Sequence, residues 1–316
     1  MMHILKAQQF DREFLDEIFD KTLTLKNQFD KFNYLMTNHK FQSIVPIMTT
    51  LFYEPSTRTR FSFEAAMIRL GGQILSTENA EQFSSAAKGE ILEDTIRVVS
   101  EYSDVIVLRH FEEGSAERAA KVSSVPIINA GDGAGQHPTQ SLIDLYTIQQ
   151  ECGTIDGKTI ALIGDLDHSR TIHSLAYMLT KYKVSHLYLV APDFVQMKPE
   201  LIQHLDKHNI SWSTSTRLKD VAADVDVFYQ TRLQKERFRL TNFELYEQEY
   251  QGVAHRYKID SSVLDLMKPE ARILHPLPRL GEIAMEVDSD PRAAYFRQAQ
   301  NGLYIRMALL LKVLNK

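Results

Sequence analysis

The feature that most constrains the fold is an alternation of short, nearly continuous apolar runs with segments of helical period. Runs at residues 44–52, 104–108, 125–129, 159–163, 186–190, 225–229 and 272–274 read as strands. Several lack polar alternation, which suits central strands of a parallel sheet covered on both faces by helices. Residues 10–29 place Phe14, Leu15, Ile18, Phe19, Leu23 and Leu25 at spacings of three and four among charges, the period of an amphipathic helix. The predicted class is α/β, with mainly parallel sheets flanked by helices. At 316 residues the chain is too long for one typical core and suits two domains. The segment ECGTIDGK at 151–158 carries two glycines and no apolar period, which marks it as the boundary. The predicted domains are therefore 1–150 and 151–291, followed by a final helix over 292–316 that contains Phe296, Leu303, Met307 and Leu310.

Charge and cysteine content narrow the function. Thirty-six Lys and Arg against 41 Asp and Glu give a net charge of −5, which argues against broad binding to nucleic acid or anionic membrane and makes any anion site local. The single cysteine, Cys152, permits no intrachain disulfide and fits a reducing compartment. The first residues lack the basic start and apolar middle of a signal peptide, and no run approaches a membrane span, so the expected location is cytoplasmic. No GxxxxGK[ST] loop is present, and GDGAG at 131–135 lacks the dinucleotide spacing, so no nucleotide cofactor is expected. Asp165, Asp167 and His168 are read as loop residues rather than metal ligands, and no metal is expected.

The polar chemistry gathers where the strands end. After the first run comes FYEPSTRTRFSFE, in which Ser56 is placed to cap a helix whose first turn holds Thr57, Arg58, Thr59 and Arg60. A helix start favours negative charge, so two arginines there are unfavourable unless an anion sits over the turn or acids such as Glu54 and Glu64 pair with them. A phosphate would accept hydrogen bonds from backbone, hydroxyls and guanidinium together. The second run delivers Arg109, and the third leads through GDGAG to His137, Pro138, Thr139 and Gln140. Singly, Arg109 also fits a surface ion pair and His137 a capping role; three strands aiming such groups at one rim favour a site. In the second half, GDLDHSR brings Arg170 to a helix start, TRLQKER brings Arg232, Gln234 and Arg237, and a third run ends in HPLPR. Two arginine-rich rims point to a cleft for two anionic substrates, since bidentate arginine suits carboxylate and phosphate alike.

These motifs, in this order, resemble those of the aspartate carbamoyltransferase catalytic chains, and the likeness spans nearly the whole sequence. Related ornithine enzymes share the STRTR-like and HPTQ elements but usually carry HCLP where this chain has HPLPR. The resemblance implies an active site between the two domains and a last helix packed back onto the first. It implies that Ser56, Thr57, Arg58, Thr59, Arg109, His137, Gln140, Leu277 and Pro278 bind carbamoyl phosphate, with His137, Arg58, Thr59 and Arg109 catalytic. Lys88, Arg170, Arg232 and Gln234 would bind aspartate, Lys88 and Ser84 reaching a neighbouring subunit's site within a homotrimer. No cofactor is implied. HFEEGSAERAA at 110–120 resembles the region through which some family members contact separate regulatory chains. The implied reaction is transfer of the carbamoyl group to the amine of L-aspartate, an early step of pyrimidine synthesis. The competing readings are transfer to another amine such as ornithine, and a phosphate-ligand binding protein without catalysis.

Overall fold

The computed structural model describes residues 1–30, 45–80, 89–133, 135–232 and 253–315. The chain forms two compact units, one of Met1–Leu142 with Gln300–Lys316 and the other of Ile143–Ala299. The first division falls inside a helix rather than in ECGTIDGK, because that helix runs unbroken across it and the glycine-containing segment only turns the chain into the next strand.

Unit 1 opens with the helix α1 (Arg12–Asp30) and builds a four-stranded parallel sheet, β1 (Ile47–Phe52), β2 (Gln73–Glu78), β3 (Val105–His110) and β4 (Ile127–Asp132), in the order β2-β1-β3-β4. The crossovers carry α2 (Thr57–Arg69), α3 (Leu92–Ser100) and α4 (Ser115–Val122), and α5 (Pro138–Cys152) starts in this unit. β3 and β4 are buried along their whole length, as continuous apolar runs require. Leu51, Ile106, Leu108 and Ile127 from the sheet pack with Leu92 and Ile96 of α3 and Ala119 of α4.

Unit 2 has the parallel strands β5 (Thr159–Ile163), β6 (His186–Val190), β7 (Trp212–Ser215), β8 (Val227–Gln230) and β9 (Arg272–Leu274), ordered β7-β6-β5-β8-β9. Its helices are α6 (Arg170–Leu179), α7 (Pro199–Lys207) and the short α8 (Ser261–Leu264), and α9 (Tyr295–Val313) starts here. Ala161, Ile163, Phe228 and Ile273 form one core with Val263 and Tyr295. The part of α9 that belongs to unit 1 is tied there by Arg306 Nη1 to Ser62 Oγ at 2.5 Å and by Lys312 to Glu17.

Two strands escaped the sequence reading, β2 (QILSTE) and β7 (WSTS). Each is an edge strand with one neighbour, so neither needs the apolar run that marks a strand buried on both faces.

Candidate active site

In unit 1 the residues singled out by sequence stand at the C-terminal ends of three neighbouring strands. β1 ends at Phe52, and α2 starts after an extended Ser56 (φ −160°) whose side chain makes no capping bond. The first turn of α2 holds no acid, so its unpaired N–H groups and the exposed Arg58 present one positive surface. Thr59 is buried beneath it. Arg60 follows the pairing alternative: it lies 2.9 Å from Glu78 Oε2 and 4.0 Å from Glu64 and donates to Ser76 Oγ, so it faces β2.

Arg109 sits opposite Phe52 in the β1–β3 ladder, and Tyr53 N donates to Arg109 O at 2.8 Å, continuing the pairing past the strand end. Its buried guanidinium donates to Glu54 Oε1 at 2.6 Å and to Ala130 O at 3.2 Å, which fixes it across the ends of β1, β3 and β4. The described residues around Asp132 are tied to both neighbouring loops. Asp132 accepts Gln136 N at 2.8 Å on Oδ1 and Gly114 N at 3.0 Å on Oδ2, joining the loop after Arg109 to the loop before His137. Gly133 has φ +51°, and a Cβ there would lie 2.4 Å from Phe111 O, so the turn requires glycine. His137 is buried directly before Pro138, the first residue of α5, and its carbonyl accepts Gln140 N at 3.0 Å. Ser56, Thr57, Arg58, Thr59, Arg109, His137 and Gln140 thus share one rim.

Unit 2 repeats the plan on β5, β8 and β9. Thr231 donates to Ile163 O through N at 2.9 Å and through Oγ1 at 3.0 Å. Gly164 has φ +113°, and a Cβ there would meet Thr231 O at 2.4 Å. This close stitching places Arg232 beside the loop leading to Arg170, which is buried as the first residue of α6, again with no acid in the first turn. Asp165 is fully buried and accepts His168 N at 2.9 Å. Burial pulls the His168 pKa down, but Asp165 and Asp167 outweigh it and raise it. His173 has a core role: it is buried, with Nε2 2.9 Å from Leu166 O, and burial lowers its pKa. Lys88, Gln234, Ser84 and Arg237 lie outside the described residues.

β9 ends in the HPLPR turn, where Leu277 has φ +54° and precedes a cis peptide to Pro278. The turn is organised by His275, a residue that sequence reasoning had placed only within a motif. His275 Nδ1 accepts Leu277 N at 2.7 Å, so the proton of the neutral ring is on Nε2, which donates to Glu282 Oε1 at 2.7 Å. Burial lowers the His275 pKa against the opposing pull of Glu282. Glu282 is pushed up by burial and pulled further down by His275 and backbone N–H groups, ending below its ordinary value. Arg279 turns away from this arrangement onto Asp288 and the Tyr295 ring. Nothing in the local sequence marks Glu282 or Asp132 for these roles; the carboxylates are recognisable only once the loops they span are in place.

Chemically, the unit 1 rim, with a helix N-terminus and two arginines, suits an anion. The unit 2 rim, with Arg170 and Arg232, suits carboxylates. Among the described residues, no group of three or more His, Cys, Asp or Glu side chains is arranged to hold a metal ion, and no helix is long and apolar enough to cross a membrane.

Comparison with known proteins agrees with this division. Residues 2–150 match the carbamoyl-P binding domain of the aspartate/ornithine carbamoyltransferases, and residues 156–313 match their Asp/Orn binding domain. The chain is 54% identical over 307 residues to the chloroplastic aspartate carbamoyltransferase of Oryza sativa subsp. japonica, covering 97% of this chain and 83% of that one. It superposes on the Trypanosoma cruzi aspartate transcarbamoylase in complex with N-(phosphonacetyl)-L-aspartic acid with a TM-score of 0.90 at 41% identity, covering 98% of this chain and 94% of that one. The catalytic subunit of the M. jannaschii enzyme gives 0.89 at 44% identity, covering 100% and 98%. The chain belongs to the aspartate/ornithine carbamoyltransferase family, on its aspartate carbamoyltransferase branch.

Proposed function

We propose that this chain transfers the carbamoyl group of carbamoyl phosphate to the amine of L-aspartate, giving N-carbamoyl-L-aspartate and phosphate, an early step of pyrimidine biosynthesis. The observation that carries the reading is the convergence of the α2 N-terminus, Arg109 and His137 on three adjacent strand ends. In this reading Ser56, Thr57, Arg58, Thr59 and Arg109 hold the phosphate, and Thr59, Arg109, His137 and Gln140 surround the carbamoyl group. Arg170, Arg232 and Gln234 hold the aspartate carboxylates, with Lys88 supplied by a neighbouring subunit. The neutral amine attacks the carbamoyl carbon, and the electron pair moves to the carbonyl oxygen, where Thr59, Arg109 and His137 stabilise it. The C–O bond to phosphate then breaks, and the departing phosphate takes the amine's proton. No cofactor enters the scheme. Transfer to ornithine is the second reading; an assay offering each amine with carbamoyl phosphate decides between them, and turnover of ornithine without aspartate would reverse the assignment.

The assembly we propose is a homotrimer with shared sites. It is supported by an apolar surface on unit 1, where Phe61 and Ile68 of α2 and Leu75 of the edge strand β2 are 54%, 57% and 46% exposed. Light scattering on the purified chain tests this, a monomer counting against it. We place the protein in the cytoplasm on its cysteine usage, to be tested by fractionation of its native cells. A separate regulatory chain would dock at HFEEGSAERAA; nucleotide effectors that leave the rate unchanged in native extracts would count against it.

A further inference from the structure

The HPLPR turn is tied to a buried polar chain that the mechanism above does not use. Asp144 lies on α5, fully buried, in the part of that helix belonging to unit 2. Its Oδ2 accepts the Tyr229 hydroxyl of β8 at 2.7 Å, and its Oδ1 accepts Gln298 Nε2 of α9 at 2.7 Å. The other end of the Gln298 amide, Oε1, accepts His275 N at 2.8 Å. From His275 the chain passes through Nδ1 to Leu277 N and through Nε2 to Glu282. Every donor faces an acceptor, so the sequence of bonds has a direction. A carboxylate only accepts, which orients the Gln298 amide with its nitrogen toward Asp144 and its oxygen toward His275. The side chains of Tyr229, Asp144, Gln298 and His275 are each at most 2% exposed, so water is not at hand to replace a lost partner.

We propose that Asp144 and Gln298 are positioning residues for the reaction: together they fix the His275 main chain, and through it the Leu277–Pro278 turn, at the place where that turn meets the reacting groups. This rests on the role assigned above to Leu277 and Pro278. The pair does not touch substrate; it acts through His275. The arrangement also explains why α9 carries a glutamine here. A buried residue bridging a carboxylate to an amide N–H must donate at one end and accept at the other, which a leucine of similar length cannot do.

The directional chain supplies its own test. Asp144→Asn alone puts an NH2 group where an acceptor stood: toward Gln298 it meets that residue's NH2 or flips the amide against His275 N, and toward Tyr229 it makes that hydroxyl accept instead of donate. Gln298→Glu alone sets a second carboxyl against Asp144, which the pair relieves by sharing a proton, so the single loss is read from Gln298→Leu, which keeps neither the donor nor the acceptor. The double variant Asp144→Asn/Gln298→Glu restores a donor facing an acceptor at every step, with the total charge equal to that of the parent. Each purified variant is assayed for aspartate carbamoylation, for carbamoyl phosphate affinity in the absence of aspartate, and for thermal unfolding. Gln298→Leu is expected to lose kcat by about 100-fold, the scale of a small misplacement at a reacting centre, and to weaken carbamoyl phosphate binding as well, since Leu277 and Pro278 belong to its binding set. The double variant is expected to recover at least tenfold of that loss. A folded Gln298→Leu variant with kcat within twofold of the parent, or a double variant no better than Gln298→Leu, would overturn the proposal. Should a single variant fail to fold, the double variant alone decides: near-parental kcat supports the chain and a folded protein with the full loss refutes it. If the parent itself carbamoylates no aspartate, the proposed function fails, a result distinct from parental turnover that the variants leave unmoved.

Discussion

Arg109 joins three strand ends in one guanidinium, taking Glu54 from the loop after β1 and Ala130 O from β4 while standing at the end of β3. That anchorage gives it a fixed direction before any ligand arrives, which is what stabilisation of a developing oxyanion demands. Arg109→Ala or His137→Ala is expected to lower kcat by about 100- to 1,000-fold, read in steady-state assays; a loss of under tenfold would remove the residue from the catalytic group. A second expectation concerns acid stability. Burial lowers the folded pKa of His173 below its ordinary 6.5, so below that pH the unfolded chain binds a proton that the folded chain resists. Stability is then complete above pH 6.5 and falls as pH drops toward the folded value. Gln in place of His173 keeps a donor toward Leu166 O without the titration, so His173→Gln should show a smaller loss of denaturant stability between pH 7.5 and about 5 than the parent. An equal loss would contradict this account. Residues of this kind divide sharply in legibility. Arg109 stands directly after an apolar run and His137 follows another through GDGAG, so both are visible in the sequence, whereas Gln298 and Asp144 act on partners far along the chain and Glu282 acts across a turn, none with a local mark.

At the scale of elements, both rims are made by the same device, a parallel strand that ends in a tight approach to its neighbour before a helix begins. Gly164 shows how close that approach is, with room for no Cβ against Thr231 O and a φ that L side chains rarely adopt. Gly164→Ala is expected to cost about 1–3 kcal/mol of stability, measured by denaturant unfolding, and to weaken aspartate saturation, because β5 and β8 must part to accept it. An unchanged unfolding midpoint would show that the strand ends are looser than described. The central strands were readable because burial on both faces demands apolar runs; β5 and β6 have the predicted bounds, and so does β9, an edge strand that is mostly buried. The edge strands β2 and β7 were not, since pairing on one side leaves polar side chains acceptable. The arginine-bearing start of α2 was legible in the sequence, but the sequence did not distinguish Arg58, exposed at the helix start, from Arg60, which Glu78 and Ser76 draw to β2.

For the whole molecule, the pattern of two α/β units follows from chain length and strand spacing, and the family assignment from motifs distributed along both. The compact units divide inside α5 and α9, each of which contributes to both, whereas the sequence reading puts the boundary at ECGTIDGK, where α5 ends and the chain turns into β5. The preference for aspartate over ornithine rests on HPLPR and on the relatives of this branch, and product identification measures it directly. The decisive experiment supplies purified protein with labelled carbamoyl phosphate and, separately, L-aspartate and L-ornithine, and identifies the labelled product. The account predicts label in N-carbamoyl-L-aspartate at a rate that falls at least 100-fold in Arg109→Ala. Label in citrulline alone, or phosphate-site binding with no carbamoylated product from either amine, would contradict it.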